Sequence, residues 1–157
     1  MQGINIGGGG ARVSYRTLHL PQGVALNEFY DFANKLRGLL REKGIPDGKI
    51  YIHGSRANGM ASSRESDIDI MVVISDAEFD ALAAKRMELL SDKMKLKIAR
   101  MVNNQQRLNG RALGQEFESG VWENVYPTLS SGEVSKVQVS VMKESSPFNK
   151  GPYIEVP

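Results

Sequence analysis

Lys49–Ile74 reads KIYIHGSRANGMASSRESDIDIMVVI, and the fold turns on this stretch. Its two ends, Lys49–His53 and Ile68–Ile74, are rich in Ile, Val and Tyr, which favour extended chain. The second run is nearly continuously apolar, as a strand covered on both faces requires. Asp67 and Asp69 break that pattern at its start. Residues two apart in a strand project to the same side, so both carboxylates face one point, roughly 6–7 Å apart along the chain. Ionised carboxylates held that close repel each other unless a cation sits between them. All-oxygen ligation of this kind suits Mg²⁺, which takes one or two carboxylates and completes its shell with water and substrate phosphate.

Gly54 and Ser55 supply the complementary half. A glycine ending a strand lets backbone approach a ligand closely. A serine with free N–H groups at the start of a short helix can hold a phosphate. Arg56–Ser66 is long enough for one helical turn or two and a return to the sheet. Arg56, Arg64 and Ser66 are either solvated loop residues or the groups that neutralise and orient a triphosphate; beside the motif, Arg56 is read in the second way.

The order apolar-Gly-Ser, spacer, Asp-apolar-Asp-apolar stands here as His53-Gly54-Ser55-Arg56-Ala57 and Ser66-Asp67-Ile68-Asp69-Ile70. It resembles the signature of the polymerase-beta-type nucleotidyltransferase superfamily. That resemblance implies an α+β fold (α/β layering), a small mixed β-sheet packed by helices. It also implies transfer of a nucleoside monophosphate from an NTP to an acceptor hydroxyl, with one or two Mg²⁺ ions. Asp67 and Asp69 would be the catalytic metal ligands, and Gly54, Ser55, Arg56 and Ser66 the nucleotide and phosphate contacts. Members usually carry a third carboxylate on a later strand. The matching setting here, Val137-Gln138-Val139, places Gln138 at that third-acid position, with Glu133 and Glu144 as the nearest acids on either side.

A looser resemblance covers more of the chain. Gly-Ser-Arg-Ala-x-Gly, Ser-Asp-Ile-Asp-Ile, Val-Ser-Val-Met-Lys and Ser-Pro-Phe-Asn-x-Gly-Pro-Tyr together resemble the C-terminal nucleotidyltransferase toxin domains of bacterial polymorphic and contact-dependent inhibition systems. It implies secretion, delivery into a target cell, a cytoplasmic site of action and a cognate immunity protein as partner.

Composition narrows the field. At 157 residues, 41% of them hydrophobic and 24% charged, the chain reads as one globular domain, 11–157, behind a flexible Gly-rich lead-in, 1–10. With no cysteine there is no disulfide, thiolate metal site or cysteine nucleophile. No run approaches the length of a membrane span, and the first residues lack a signal-peptide apolar segment. The net charge of +2 decides nothing, but its distribution is uneven. Lys93–Arg111 holds Lys93, Lys95, Lys97, Arg100, Arg107 and Arg111 with no acid, whereas 112–135 holds four glutamates and no Lys or Arg. Such a segment is either a solvated face or a surface for an RNA acceptor, tRNA included.

Outside the central stretch, Ala11–Leu20 alternates weakly and reads as an edge strand or arm. Asn27 is placed to cap a helix carrying Phe29, Phe32, Ala33, Leu36, Leu39 and Leu40, with Gly44 as its stop. Ser75 and Glu78 form a capping box ahead of a second helix, and Ser91-Asp92 interrupts it before a third. Gly110–Gly132 reads as irregular, with Glu116, Phe117, Trp122 and Tyr126 as a lid or a base-stacking wall, or Trp122 as ordinary core filler. Lys136–Met142 alternates as a strand. Two other functions fit the same residues: an NTP-binding module without chemistry, because Gln138 stands where an acid should, and a nucleotidyltransferase acting on antibiotic-type small molecules.

Overall fold

Strand β1 (Lys49–His53) and strand β2 (Ile68–Ile74) form where the β-branched runs lie. They pair antiparallel, Lys49 against Val73 through His53 against Asp69. The computed structural model describes residues 20–53, 67–114, 121–129, 131–132, 134–147 and 153–157. The weakly alternating arm at 11–19 and the glycine-rich lead-in therefore lie outside the described residues.

Helix α1 (Leu26–Glu42) precedes β1. Its N-cap is Ala25 and makes no side-chain cap, so Asn27 sits inside the first turn instead of before it. Burial sets the entry here. Val24 and Phe29 occupy the positions of a hydrophobic staple, and both lie in the core. The other end follows the sequence closely. Gly44 adopts φ +82, and N–H groups of Gly44 and Ile45 return to Arg41 and Leu40, a Schellman closure with Leu40 and Ile45 both buried.

After β2, Ser75 Oγ accepts from Glu78 N at 3.2 Å and opens helix α2 (Asp76–Met87). Ser91 caps helix α3 (Asp92–Gln105) in the same way. Gln106 then takes a left-handed conformation (φ 52, ψ 44), which ends α3 and turns the chain into strand β3 (Arg107–Leu108). Helix α4 (Gly110–Leu113), capped by the Asn109 side chain, and a 3-10 turn at Val121–Val125 follow. The described parts of Gly110–Gly132 thus hold more regular structure than the lack of periodicity suggests. Ala112, Leu113, Trp122 and Val125 are buried in the main core, and that burial holds it.

Strand β4 (Val137–Lys143) then runs parallel to β2, and strand β5 (Ile154–Glu155) pairs with β1. The result is a mixed five-stranded sheet, order β3-β4-β2-β1-β5, packed by helices: the α+β arrangement expected from the sequence. Ile50 and Ile52 of β1, Ile68, Ile70, Val72 and Ile74 of β2, and Val137, Val139 and Val141 of β4 share one core with Phe32, Leu36, Phe79 and Ile98 of the helices. Tyr51, Met71, Val73 and Met142 form a separate small cluster on the opposite face. Arg37 ties the chain end down, donating to the carbonyls of Pro157 and Val156. No described helix is long and apolar enough to cross a membrane.

Candidate active site

The candidate site residues Asp69 and Gln138 lie on the face of the sheet opposite the main core. Because Ile68, Ile70 and Val72 point into the main core, Asp69 and Met71 must point to the other side. The register lines up three strands at one level: His53 of β1 opposite Asp69 of β2, and Asp69 opposite Gln138 of β4. Neighbouring strands lie about 4.8 Å apart, so these side chains form a single row. Asp67, the residue before β2, joins it through Gln138, whose Nε2 donates to Asp67 Oδ2 at 3.0 Å.

Burial and charge perturb this row in consistent directions. The Asp69 carboxyl is pushed above the ordinary carboxylate value by burial first and by the Asp67 charge second; Arg107 partly offsets both. His53 is pushed below its ordinary value by burial and then by Arg107. His53 Nε2 is buried and has no hydrogen-bond partner among the described residues. A buried carboxylate with a second carboxylate beside it is a site that a cation would stabilise.

Arg107 is a cleft residue that the sequence did not single out. It appeared as one of six basic residues along a helical segment. In the structure that helix stops at Gln105, and the left-handed Gln106 delivers Arg107 onto β3, paired with Met142 of β4. Its Nε is buried without a hydrogen-bond partner among the described residues. The basic segment therefore divides. Lys93, Lys97 and Arg100 are exposed on α3, while Arg107 and Arg111 line a cleft of about 910 Å³ together with His53, Asp69, Gln138, Asn109, Trp122 and Tyr126. Trp122 is at once core, at 3% exposure, and cleft wall. The Tyr126 phenol is pushed upward by burial, then by Glu123 and Asp67.

Gly54, Ser55, Arg56, Arg64, Ser66 and Glu133 lie outside the described residues. The described chain stops at His53 and resumes at Asp67, both of them in the row. Glu144 is placed elsewhere. Its N–H bonds to the carbonyl of Ile74, at the far end of β2, five residues and about 16 Å from Asp69. It is too distant to act as a third acid with Asp67 and Asp69.

The donor set fits Mg²⁺ in a specific sense. Among the described residues no three His, Cys, Asp or Glu side chains gather to enclose a metal. Asp69 on the cleft wall and Asp67, hydrogen-bonded to Gln138 beside it, offer two carboxylates, which suits an ion that keeps waters and takes substrate phosphate oxygens.

A family model described as a nucleotidyltransferase domain matches residues 33–120, more than half of the 157-residue chain. The match takes in the later part of α1 from residue 33, β1, Gly54-Ser55, Asp67 and Asp69, and ends before Gln138. No curated protein and no solved structure matches the chain significantly.

Proposed function

The chain belongs to the nucleotidyltransferase-domain family, and from that premise we propose that it transfers a nucleoside monophosphate from an NTP to the hydroxyl of an RNA acceptor. The observation that carries this reading is the row His53, Asp69, Gln138 with Asp67 hydrogen-bonded beside it, opening on one cleft. Asp67 and Asp69 are the residues that would hold Mg²⁺, one ion or two. When bound, the ion would neutralise phosphate charge and lower the proton affinity of an oxygen it touches.

The remaining work falls to the chain. Gly54, Ser55, Arg56 and Ser66 are proposed as the phosphate holders. The acceptor oxygen forms a bond to the α-phosphorus, the α–β anhydride bond breaks, and pyrophosphate leaves. The hydroxyl proton must go to a base or to water. Gln138 can accept a hydrogen bond from that hydroxyl through its amide oxygen, since its nitrogen is engaged by Asp67. It cannot take the proton at neutral pH. Catalysis on this reading is positioning and charge neutralisation.

The resemblance to toxin domains supports a further proposal: the domain acts in the cytoplasm of a target cell after secretion and delivery, and a cognate immunity protein restrains it. Expression in a bacterial cytoplasm should then arrest growth, and Asp69→Asn should relieve the arrest. Growth unaffected by the active chain would remove the toxin role.

The direct test is incubation with α-labelled NTPs, Mg²⁺ and total RNA. Label should appear on RNA and disappear with a chelator. Gln138 in place of an acid favours one competing reading, an NTP-binding module. Saturable NTP binding with no label on any acceptor would establish that reading instead.

A further inference from the structure

We infer that Arg107 grips a phosphodiester of the acceptor, so that the cleft takes the end of a single-stranded nucleic acid and not a cationic small molecule. This rests on the proposed transferase reading and names how its acceptor is held. Three observations converge on it.

The first is the charge of the cleft wall. Its described carboxylate is Asp69, already committed with Asp67 to a cation, while Arg107 and Arg111 bring two guanidinium groups. A cationic acceptor would meet like charge there. A phosphate ester would meet opposite charge in a partly desolvated setting, where charge-assisted hydrogen bonds are strongest.

The second is Arg107 itself. A guanidinium offers five N–H donors in a fixed fork and no acceptor. Arg107 Nε is buried without a partner among the described residues. A buried donor left unmade costs free energy, and a bidentate phosphate would satisfy it. The residue is held in place by the β3–β4 pairing, and the Gln106 turn aims it.

The third is placement. His53, the last residue of β1 and the one before Gly54 in sequence, pairs with Asp69 on one side. Arg107 is carried by β3, on the opposite side of β2 from β1, where it pairs with Met142, four residues along β4 from Gln138. The anion proposed for Arg107 is accordingly a different group from the NTP phosphates proposed for Gly54 and Ser55. Lys93, Lys97 and Arg100 stand at i, i+4 and i+7 on one exposed face of α3, whose last residue, Gln105, lines the cleft. That gives a line of cations running away from the cleft mouth, the footprint a polymer leaves and a mononucleotide does not.

The test compares the wild-type chain with Arg107→Gln and Arg107→Lys, using a short fluorescein-labelled single-stranded RNA at several salt concentrations and Mg-ATP by calorimetry. Arg107→Gln should bind RNA about tenfold more weakly, with the slope of log K against log salt reduced by about 0.7, the loss of one phosphate contact on a single strand. ATP affinity should stay within about twofold, because the ATP phosphates are assigned elsewhere. Arg107→Lys should keep the salt slope and lose about threefold, since a lysine keeps the charge without the fork.

RNA affinity and slope unchanged in a folded Arg107→Gln variant would overturn the inference. So would a loss that falls on ATP, or label transferred to an aminoglycoside in preference to RNA. If Arg107→Gln does not fold, Arg107→Lys carries the test, and wild-type RNA affinity in it overturns the grip. A wild-type chain that binds RNA through Arg107 but transfers no label overturns the transferase reading and supports this one. Transfer to RNA undiminished by Arg107→Gln does the reverse.

Discussion

Gln138 donates its side-chain N–H to Asp67 Oδ2 at 3.0 Å while its own backbone lies in register with Asp69. The amide thus occupies the level at which a third carboxylate would complete a metal site, and it neutralises part of the repulsion that such a carboxylate would add. An ionised carboxylate only accepts, so the amide nitrogen must face it. A side chain that binds an aspartate in this way relieves the metal-free state and contributes no charge to the metal-bound one.

Gln138→Glu should reverse both effects. In the metal-free protein it replaces a hydrogen bond with a third negative charge. Gln138 is exposed, so the stability loss should be modest, about 1 kcal/mol. With Mg²⁺ added the variant should gain more thermal stability than wild type, because it binds the ion more tightly. NTP affinity should hold and transfer should rise. Melting curves with chelator and with Mg²⁺, beside turnover, check this; a variant indistinguishable from wild type in all three would remove Gln138 from the site.

How far the sequence carries depends on the range of the interaction that makes each feature. β1, β2, β4 and the Ser75–Glu78 capping box come from local composition, alternation and spacing, and all four are present. The alternation of β4 could also place Gln138 opposite its valines. It could not place Gln138 beside Asp67, because that depends on a parallel register between strands 68 residues apart in sequence at their first pair, Ile68 and Val137, counting the residues between them. β3 and β5 are two residues each, too short for any periodicity, and exist because β4 and β1 offer edges. Arg107 was hidden for the same reason: a helical reading of its segment leaves it on a solvated face, and the Gln106 turn is invisible in composition.

Gly48 should be intolerant of a side chain. A Cβ built there would run into the carbonyl oxygen of Val73, a backbone atom that cannot move without disturbing the β1–β2 pairing. Gly48→Ala should therefore cost about 1–3 kcal/mol by overpacking, although Gly→Ala usually stabilises an unstrained site. Denaturant unfolding measures it, and a variant as stable as wild type would show that β1 can shift. If β1 does shift, His53 moves with it, so transfer should fall even where stability is kept.

Asp76 links stability to pH. Its Oδ1 accepts from the backbone N–H of Ser145 at 3.1 Å, joining the start of α2 to the turn after β4. The Ser145 hydrogen bonds, side chain first, hold its carboxyl below the ordinary value of 3.8, and Lys143 adds to this. A carboxyl depressed on folding contributes stability above its unfolded value, and that contribution is lost as the pH falls through the folded value. The melting-temperature gap between wild type and Asp76→Asn should therefore be widest near neutrality and shrink from about pH 4 downward. A gap that stays constant to low pH would mean that the charge on Asp76 plays no part.

Asp69→Asn separates the metal role from a structural one. Burial and the neighbouring Asp67 both disfavour the ionised Asp69 carboxyl, so in the metal-free protein that charge is a liability. An acid whose proton affinity rises on folding makes the native state less stable once it is ionised, and a neutral amide of the same shape removes this cost. Metal-free Asp69→Asn should therefore melt no lower than wild type. The same change removes one of the two carboxylates proposed to hold Mg²⁺, so the stabilisation by Mg²⁺ should largely vanish. Transfer should fall by at least about a hundredfold, in line with the several kcal/mol a bound ion supplies to charge stabilisation. A residue needed only for folding would give the opposite pattern, a lower melting temperature with transfer lost in proportion to unfolded chain. Full Mg²⁺-dependent transfer in both Asp69→Asn and Asp67→Asn would detach these aspartates from the reaction altogether.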